Sequence, residues 1–242
     1  MGRSTQRERS DEDLAAQLAG QLVVAFPTWP VWRGGWPGEA DAALVDAVFS
    51  TRAAYDSTVL PLVRRWRSAR TARKLGNGVS ALVLGGRDFV SETLDNRQYV
   101  PGRAKKLKID AVLEVAERLL DPDVGLDTAQ QITERALTSR GGVRQILEGV
   151  KGVGPAQSSY FLMLLGVQGV KADTLVTDWV RQQLGGQKLT QHEVETVVAR
   201  AAELLGKDAT EVDHAIWRTE SNRRRRQRTR HPTAQQAFAA YD

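Results

Sequence analysis

Apolar residues recur at intervals of three and four along most of the chain, which is the spacing of one face of an α-helix. No segment alternates apolar and polar residues as a half-buried strand does. We therefore expect an all-α fold made of about ten short helices. The pattern predicts helices over residues 11–25, 40–53, 58–68, 103–120, 128–138, 142–148, 156–165, 174–184, 191–205 and 210–219, with weaker signals over 76–83 and 86–92.

The segment FPTWPVWRGGWPGE, residues 26–39, interrupts this periodicity. Trp29, Trp32 and Trp36 stand there among prolines and glycines, which end helices. We expect an extended segment whose aromatic rings pack on the body of the protein. Base stacking or substrate contact by these rings remains the alternative.

The composition excludes several classes of site. The chain has no cysteine, so it has no disulfide, thiolate metal site or iron–sulfur cluster. Its three histidines are scattered and suggest no metal site. No apolar run approaches the length of a membrane span, and the N-terminal MGRSTQRERSDEDL is too polar for a signal peptide. We expect a cytoplasmic monomer without a cofactor and without a membrane contact.

The positive charge is concentrated locally. The net charge is +5, and removing the six arginines of NRRRRQRTRH leaves about −1 for the rest of the chain. Attraction to a polyanion is therefore expected in the tail and in local patches, although each patch could equally be a solvated helix face. The candidate patches are Arg64, Arg65, Arg67, Arg70, Arg73 and Lys74, and Arg103, Lys105, Lys106 and Lys108.

The stretch VKGVGPAQSS, residues 150–159, has the pattern of a helix–hairpin–helix turn. Gly152 and Gly154 bracket Val153, and glycine permits the positive φ of a tight crossing. Pro155 suits the first turn of the next helix. The N–H groups of such a turn form an anion site that fits a nucleic-acid phosphate. A simple corner between two helices is the alternative.

The segment KADTLVTDWVRQQLG contains an acid, Asp173, nineteen residues after Gly154. With this acid, the chain resembles the helix–hairpin–helix–Gly/Pro–Asp superfamily of DNA glycosylases, most closely the endonuclease III branch. That family follows its hairpin and second helix with V-D-T-H-V-x-R-V, so its catalytic aspartate falls on Asp173. LVDAVFSTRAAYD, GRAKKLKIDAVLEVAERLL and VDHAIWRTES extend the resemblance over roughly residues 40–220, and it is most specific over 147–185.

Three departures qualify the resemblance. Ala156 stands where bifunctional members have the lysine that attacks the sugar, and neither Lys151 nor Lys171 occupies that position. Arg52 replaces the glutamine that fills the gap left by the flipped base. The ligands of the family's iron–sulfur cluster are missing. The resemblance therefore implies base removal by water, without a Schiff base or strand cleavage.

The resemblance also implies two helical lobes with a DNA-binding cleft. Within them we expect a barrel-like helical domain over 40–185, which contains the hairpin. We expect the N-terminal helix and tryptophan segment, 11–39, to pack on the second lobe, which residues 186–220 complete. Residues 1–10 are expected to be disordered, and 221–242 to form a flexible basic tail.

The implied mechanism assigns Asp173 to stabilise the oxocarbenium-like sugar and to orient or deprotonate water. N-capping of the following helix is the structural alternative for this residue. Arg52 or Tyr55 would be the wedge that holds the gap in the duplex. The remaining candidate DNA-binding residues are Lys151, Gly152, Val153, Gly154, Gln157 and Ser158. The sequence leaves open whether a structural monovalent cation binds at the hairpin.

The expected function is thus excision of a damaged or modified base from double-stranded DNA by a monofunctional glycosylase. Two alternatives remain: excision of hypermodified, phage-type bases, which would suit anti-phage defence, and a catalytically silent DNA-binding protein. Asp213 and His214 could form an acid–base couple, but a hydrogen bond between the lobes is the favoured interpretation. Asp178 is expected to make a surface ion pair.

Overall fold

The computed structural model describes residues 10–32, 34–102 and 105–230. Within these ranges the regular elements are helices, apart from one antiparallel β-bridge between Tyr99 and Leu107. The fold is all-α, as predicted. The elements are α1 (Asp11–Ala25), α2 (Ala40–Phe49), a π-helical turn (Tyr55–Val59), α3 (Leu60–Ala72), α4 (Ser80–Leu94), α5 (Lys108–Leu120), α6 (Ala129–Glu148), α7 (Pro155–Leu164), α8 (Thr174–Gln183), α9 (Gln191–Leu204) and α10 (Ala209–Arg230).

Side-chain caps account for several of these boundaries. Ser10, Thr128 and Thr190 each accept a hydrogen bond from the backbone three residues on, at the starts of α1, α6 and α9. Helices α4 and α6 are each interrupted by a kink, at Gly86 and at Ser139, which have non-helical φ and ψ. The two parts of each element correspond to the predicted pairs of short helices.

The chain divides into two compact units. We call Arg33–Lys171 the central unit, with α2 to α7, and Met1–Trp32 plus Ala172–Asp242 the terminal unit, with α1 and α8 to α10. The boundaries therefore differ from the predicted ones at 39 and 185. Helix α8 belongs to the terminal unit because it packs on α9 and α10.

Helix α2 forms the middle of the central unit. All ten of its residues are buried, because α3, α4, α5 and α7 pack around it. A helix that is apolar on all sides belongs in a core of this kind. Two of its residues, Asp41 and Asp46, are nevertheless acids with no exposed surface.

In the terminal unit, α1 packs along α9, and α10 packs on α8 and α9. The tryptophan-rich segment is divided between the units. Phe26 contacts the rings of Trp29 and Trp179 at centroid distances of 5.4 and 5.9 Å in the terminal unit. Trp36 belongs to the central unit, where its backbone N–H donates to the carbonyl of Leu164 at 2.7 Å.

Both predicted disordered ends need correction. Ser10 is ordered as the cap of α1, and α10 continues through the arginine run to Arg230. Residues 1–9 and 231–242 lie outside the described ranges, so the prediction for them stays a prediction. Across the part of the chain that is described, no helix has both the length and the apolar character of a membrane span.

Candidate functional site

The hairpin between α6 and α7 depends on Gly152. This residue has φ of +96°, in the left-handed region, and a Cβ placed on it would lie 2.4 Å from the side chain of Val100. Only glycine fits both constraints without strain. The tight helix–helix turn predicted for this stretch is therefore present, and it packs against the loop that follows α4.

The side chain of Gln157 braces the hairpin from the first turn of α7. Its Oε1 accepts the N–H of Gly154 at 3.0 Å, and its Nε2 donates to the carbonyl of Gly152 at 3.2 Å. The N–H of Val153 donates to the carbonyl of Val150 at 3.0 Å. The N–H groups of Val153 and Gly154 are therefore occupied inside the turn.

The predicted phosphate clamp must be revised accordingly. Among the described residues, the backbone N–H groups of Lys151, Gly152 and Ala156 donate to no protein acceptor. These three amides, rather than those of Val153 and Gly154, are the ones that a phosphate can use. The side chain of Lys151 is exposed beside them.

Ser158 was predicted as a DNA contact, and this prediction is wrong. Its side chain is fully buried, and its hydroxyl donates to Glu148 Oε1 at 2.6 Å. The bond ties the start of α7 to the end of α6. Gln157 is partly exposed, but the oxygen and the nitrogen of its side-chain amide both bond within the hairpin.

The loop after α2 presents Arg52. This residue has φ of +54° and is exposed, and its guanidinium reaches no acceptor within the described ranges. Tyr55 behaves differently, because it is half-buried and its hydroxyl donates to Asp46 Oδ2 at 2.9 Å. Of the two predicted wedge residues, Tyr55 is thus anchored in the protein and Arg52 is the one that can reach a ligand.

Asp173 is the N-cap of α8, which was the structural alternative from the sequence. Its Oδ1 accepts the N–H groups of Leu175 at 2.8 Å and Val176 at 3.2 Å. Its Oδ2 accepts no hydrogen bond from the described part of the chain, and the residue is partly exposed. One oxygen therefore fixes the orientation of the carboxylate while the other stays available.

The residue before Asp173 is held in an unusual conformation. Ala172 has φ of +41°, a region that alanine rarely adopts. Its N–H donates to Asp213 Oδ1 at 3.4 Å, and its carbonyl accepts the hydroxyl of Thr177 at 3.1 Å. These contacts from α8 and α10 fix the direction in which the chain enters α8, and thereby the position of Asp173.

Asp213 therefore supports Ala172 within the terminal unit. His214 makes aromatic contacts: its ring lies 4.7 Å from Trp32 and 6.1 Å from Trp217. Burial lowers the pKa of His214, with a smaller contribution from Arg218. The acid–base couple considered from the sequence is not formed by these contacts.

A family model described as a domain of unknown function (DUF8548) matches residues 35–221. The chain belongs to this family. The matched region contains the hairpin, Arg52 and Asp173, and it ends before the run of arginines. No curated protein matches the chain.

Much of the first basic patch of this DUF8548 domain serves internal contacts. Arg67 and Arg70 on α3 both pair with Glu39, and Arg70 also lies 3.0 Å from Asp41. Asp41 additionally accepts the indole N–H of Trp66 at 2.7 Å. Burial raises the pKa of Asp41 to about 6, although Arg70 and Trp66 oppose the shift. The network holds α3 against α2.

Two further cations of this patch are also engaged. Arg65 donates to the carbonyl of Leu94, the last residue of α4, at 2.7 Å. The guanidinium of Arg73 lies 3.6 Å from the ring centroid of Phe89. Only Arg64 and Lys74 remain as exposed cations of the patch without a described partner. Arg70 is buried, so the expectation of a DNA-facing flank is wrong for this residue, whereas for Arg65, Arg67 and Arg73 it stays a prediction.

The second basic patch is divided as well. Lys108 is buried and donates to the carbonyls of Phe49 and Thr51 at 3.0 and 2.6 Å. Lys106 pairs with Glu114, and Lys105 is exposed. Arg103 lies outside the described residues. Lys108 is a structural residue, and Lys105 is the remaining candidate for a nucleic-acid contact.

Sequence reasoning missed a buried polar network around Asp46. Its carboxylate accepts the indole N–H of Trp36 at 2.8 Å and the hydroxyls of Ser50 and Tyr55 at 2.8 and 2.9 Å. Burial raises the pKa of Asp46. The hydroxyl of Tyr160, on α7, lies next to those of Tyr55 and Ser50. The available signal was an acid inside the apolar run ALVDAVF.

This network reaches α7, the helix that follows the hairpin, through Tyr160. Tyr160 follows Ala156 by one helical turn, so the two share a face of α7. The ammonium of Lys171 lies 3.8 Å from the centroid of the Tyr160 ring. Lys171, which the sequence placed beside the site, is thus in contact with an aromatic ring of this network.

Two surface grooves are lined by residues other than those of the candidate site. One, of about 310 Å³, lies between α4 and α5 and includes Gly86 and Asp110, and one of about 420 Å³ includes Trp29 and Arg218. Neither lining contains Asp173 or a hairpin residue. The described residues include no group of three or more acids and histidines that could hold a metal ion.

Proposed function

We propose that this protein is a monofunctional DNA N-glycosylase that removes a damaged or modified base from duplex DNA. The observation that carries the proposal is the state of Asp173. One carboxylate oxygen is fixed by two N–H groups of α8, and the other has no protein donor among the described residues. The resemblance of the surrounding sequence to a glycosylase family supports the same assignment.

The hairpin binds the DNA backbone in this proposal. The backbone N–H groups of Lys151, Gly152 and Ala156 donate to a phosphate oxygen, and the Lys151 ammonium adds a charge. Backbone contacts of this kind position a protein on a duplex without distinguishing bases. Selection of the base therefore depends on other residues.

Extrusion of the nucleotide requires a side chain that fills the vacated space. Taking a base out of the stack costs a few kcal/mol, and less when the pair is already damaged. Arg52 is exposed on a loop that Lys108 and Asp46 hold in place. Its guanidinium can stack on neighbouring bases and bind a phosphate or base edge, which suits this role.

Asp173 supplies the chemistry. Cleavage of an N-glycosidic bond places positive charge on the sugar near C1′, and a fixed carboxylate stabilises that charge more than mobile water does. The same oxygen can orient and deprotonate the attacking water. Because Ala156 offers no amine, the bond is hydrolysed without a covalent intermediate, and the abasic strand stays intact.

A catalytically silent DNA-binding protein is the second candidate. The cap that Asp173 provides for α8 gives this residue a structural role that requires no chemistry. Excision of hypermodified bases uses the same residues as excision of lesions, so it differs only in the substrate.

A substrate panel tests the proposal. Duplexes that each carry one lesion or one hypermodified base are incubated with the full chain and then treated with alkali, which cleaves abasic sites. We expect cleavage on at least one substrate, and loss of that cleavage with Asp173→Asn. Asp178→Asn on the same helix is the matched control and keeps full activity. If wild type and Asp173→Asn give the same product pattern on every duplex, the enzyme is rejected in favour of the binding protein.

Borohydride tests the absence of a Schiff base. Reduction during turnover should trap no covalent adduct between protein and DNA, since hydrolysis forms none. A strong trapped band that survives in Asp173→Asn would show that an amine performs the step assigned here to water.

A further inference from the structure

The last part of α10 has no role in the core. Among the side chains of α10 that the structure describes, which extend to residue 227, Glu220 is the last buried one, and the backbone continues as a helix to Arg230. Residues 221–230, SNRRRRQRTR, contain no apolar side chain and no acid. Arg223 to Arg226 occupy one full turn and therefore cover every side of the helix. This segment, which we call the arginine helix, offers positive charge in all directions.

The charge per unit length along this helix is close to that along duplex DNA. Six arginines fall within the eight residues 223–230. At a rise of about 1.5 Å per residue, this gives one positive charge per roughly 2 Å of helix axis. Duplex DNA carries one negative charge per about 1.7 Å of its axis. A helix with this charge density neutralises phosphates along its whole length.

We propose that the arginine helix is a second DNA-binding element, which binds the phosphate backbone of double-stranded DNA without sequence preference. This role does not depend on excision chemistry, because it requires only phosphates. It anchors the enzyme on undamaged DNA, where most encounters take place. All six of its arginines lie beyond residue 221, where the match to the DUF8548 model ends.

The composition of the segment favours a phosphate backbone over a membrane surface or a protein interface. A helix that lies on a membrane surface needs an apolar face, and residues 221–230 have none. Protein interfaces usually have an apolar centre as well. A phosphate backbone requires neither, since counterion release supplies most of the binding free energy.

The ion pairs along the helix decide which arginines can be tested. Arg223 binds Glu220 with two nitrogens, and Glu220 is buried, so removing Arg223 would leave a buried acid unpaired. Arg224 pairs with Asp178 at 3.0 Å, where both side chains are largely exposed. Such a surface pair is weak and exchanges readily for a phosphate. Arg225 and Arg226 are exposed.

The test variant is therefore Arg224→Gln, Arg225→Gln and Arg226→Gln combined in the full chain. A matched control removes three charges from exposed cations elsewhere: Arg135→Gln, Lys188→Gln and Arg200→Gln. Binding to an undamaged DNA duplex is measured by fluorescence anisotropy between 50 and 300 mM salt. Circular dichroism establishes that both variants are folded.

Each lost phosphate contact should reduce the slope of log K against log salt by about 0.9. We expect the arginine-helix variant to lower the magnitude of this slope by about 2 to 3 relative to wild type, and the control by less than about 0.5. Equal slopes in the two variants would overturn the proposal. The proposal would also be overturned if the arginine-helix variant bound DNA as wild type does but lost binding to vesicles of anionic lipid or to duplex RNA.

Failure of this proposal and failure of the proposed function are distinguishable. If the wild-type chain excises no base and the arginine-helix variant shows the expected change in slope, the enzymatic function is rejected and the DNA-binding role of the arginine helix is retained. If the wild-type chain excises a base, and DNA binding has the same salt dependence in wild type and in the arginine-helix variant, only the proposal for the arginine helix is rejected.

Discussion

The ammonium of Lys108 donates a 2.6 Å hydrogen bond to the carbonyl of Thr51, the residue before Arg52. The same ammonium donates to Phe49, the last residue of α2, and to the Gln98 side chain. A buried lysine thus completes the C-terminal end of a helix and fixes the loop from which Arg52 projects. Cations in this position also interact favourably with the helix dipole.

Replacing Lys108 with methionine should destabilise the protein. Methionine retains the shape of the stem but leaves two buried carbonyls and an amide oxygen without a donor, which costs about 1–3 kcal/mol. Lys106→Met is the control two residues away, because it removes only a partly exposed pair with Glu114, worth about 0–1 kcal/mol. Urea unfolding measures the free energy of unfolding of both variants, and equal decreases in the two would contradict the structural role of Lys108.

The hairpin should not tolerate a side chain at position 152. Gly152→Ala combines a left-handed φ with a Cβ that overlaps Val100, which together should cost about 2–4 kcal/mol. Gly166→Ala provides the control, since its φ is +95° but nothing lies within 4 Å of the added Cβ. That variant should lose only about 1–2 kcal/mol. Thermal unfolding distinguishes them, and a smaller loss at 152 than at 166 would rule out the crowding by Val100.

Asp173 should contribute to stability as well as to chemistry. Asp173→Ala removes both hydrogen bonds to the start of α8 and should cost about 1 kcal/mol. Asp173→Asn keeps an oxygen that can cap the helix, so its unfolding free energy should stay within a few tenths of a kcal/mol of wild type. An asparagine variant as unstable as the alanine variant would mean that the charge, not the cap, holds α8.

Asp41 should make stability fall as the pH rises from about 4 to about 6. Its pKa is raised from 3.8 to about 6 by burial, so over this range the folded state binds more protons than the unfolded state. The free energy of unfolding therefore decreases with pH by about 3 kcal/mol from this group alone.

Comparison with Asp41→Asn isolates this contribution from those of other carboxylates. The difference in unfolding free energy between wild type and Asp41→Asn should change across pH 4–6 and be constant above pH 7. Asp178→Asn, at an exposed position, serves as the reference. A pH-independent difference for Asp41→Asn would show that Arg70 keeps this acid ionised in the folded protein throughout.

The helix pattern was largely predictable because it depends on local residues. Helix α1 begins where Ser10 caps it, and α8 begins after Asp173, as capping preferences predict. The start of α3 was predicted two residues early, because a π-helical turn over Tyr55–Val59 precedes it. The helix through the arginine run was missed because it has no apolar face, although arginine is a good helix former and suits a helix C-terminus.

The details of the candidate site required the structure. Val153 and Gly154 were assigned to the phosphate clamp, but their N–H groups are occupied within the turn. The partner of Gly154 is a side chain, that of Gln157, which no backbone pattern specifies. The buried acids Asp41 and Asp46 likewise find their partners in Trp66 and Trp36, through contacts that only tertiary packing creates.

The central claim is that the available oxygen of Asp173 stabilises the sugar cation, and the single-turnover excision rate tests it most directly. With enzyme in excess over a cleaved substrate, Asp173→Asn should bind the duplex as wild type does and excise the base at least about 100-fold more slowly. Asp178→Asn should excise at the wild-type rate. An Asp173→Asn rate within about threefold of wild type would contradict the account.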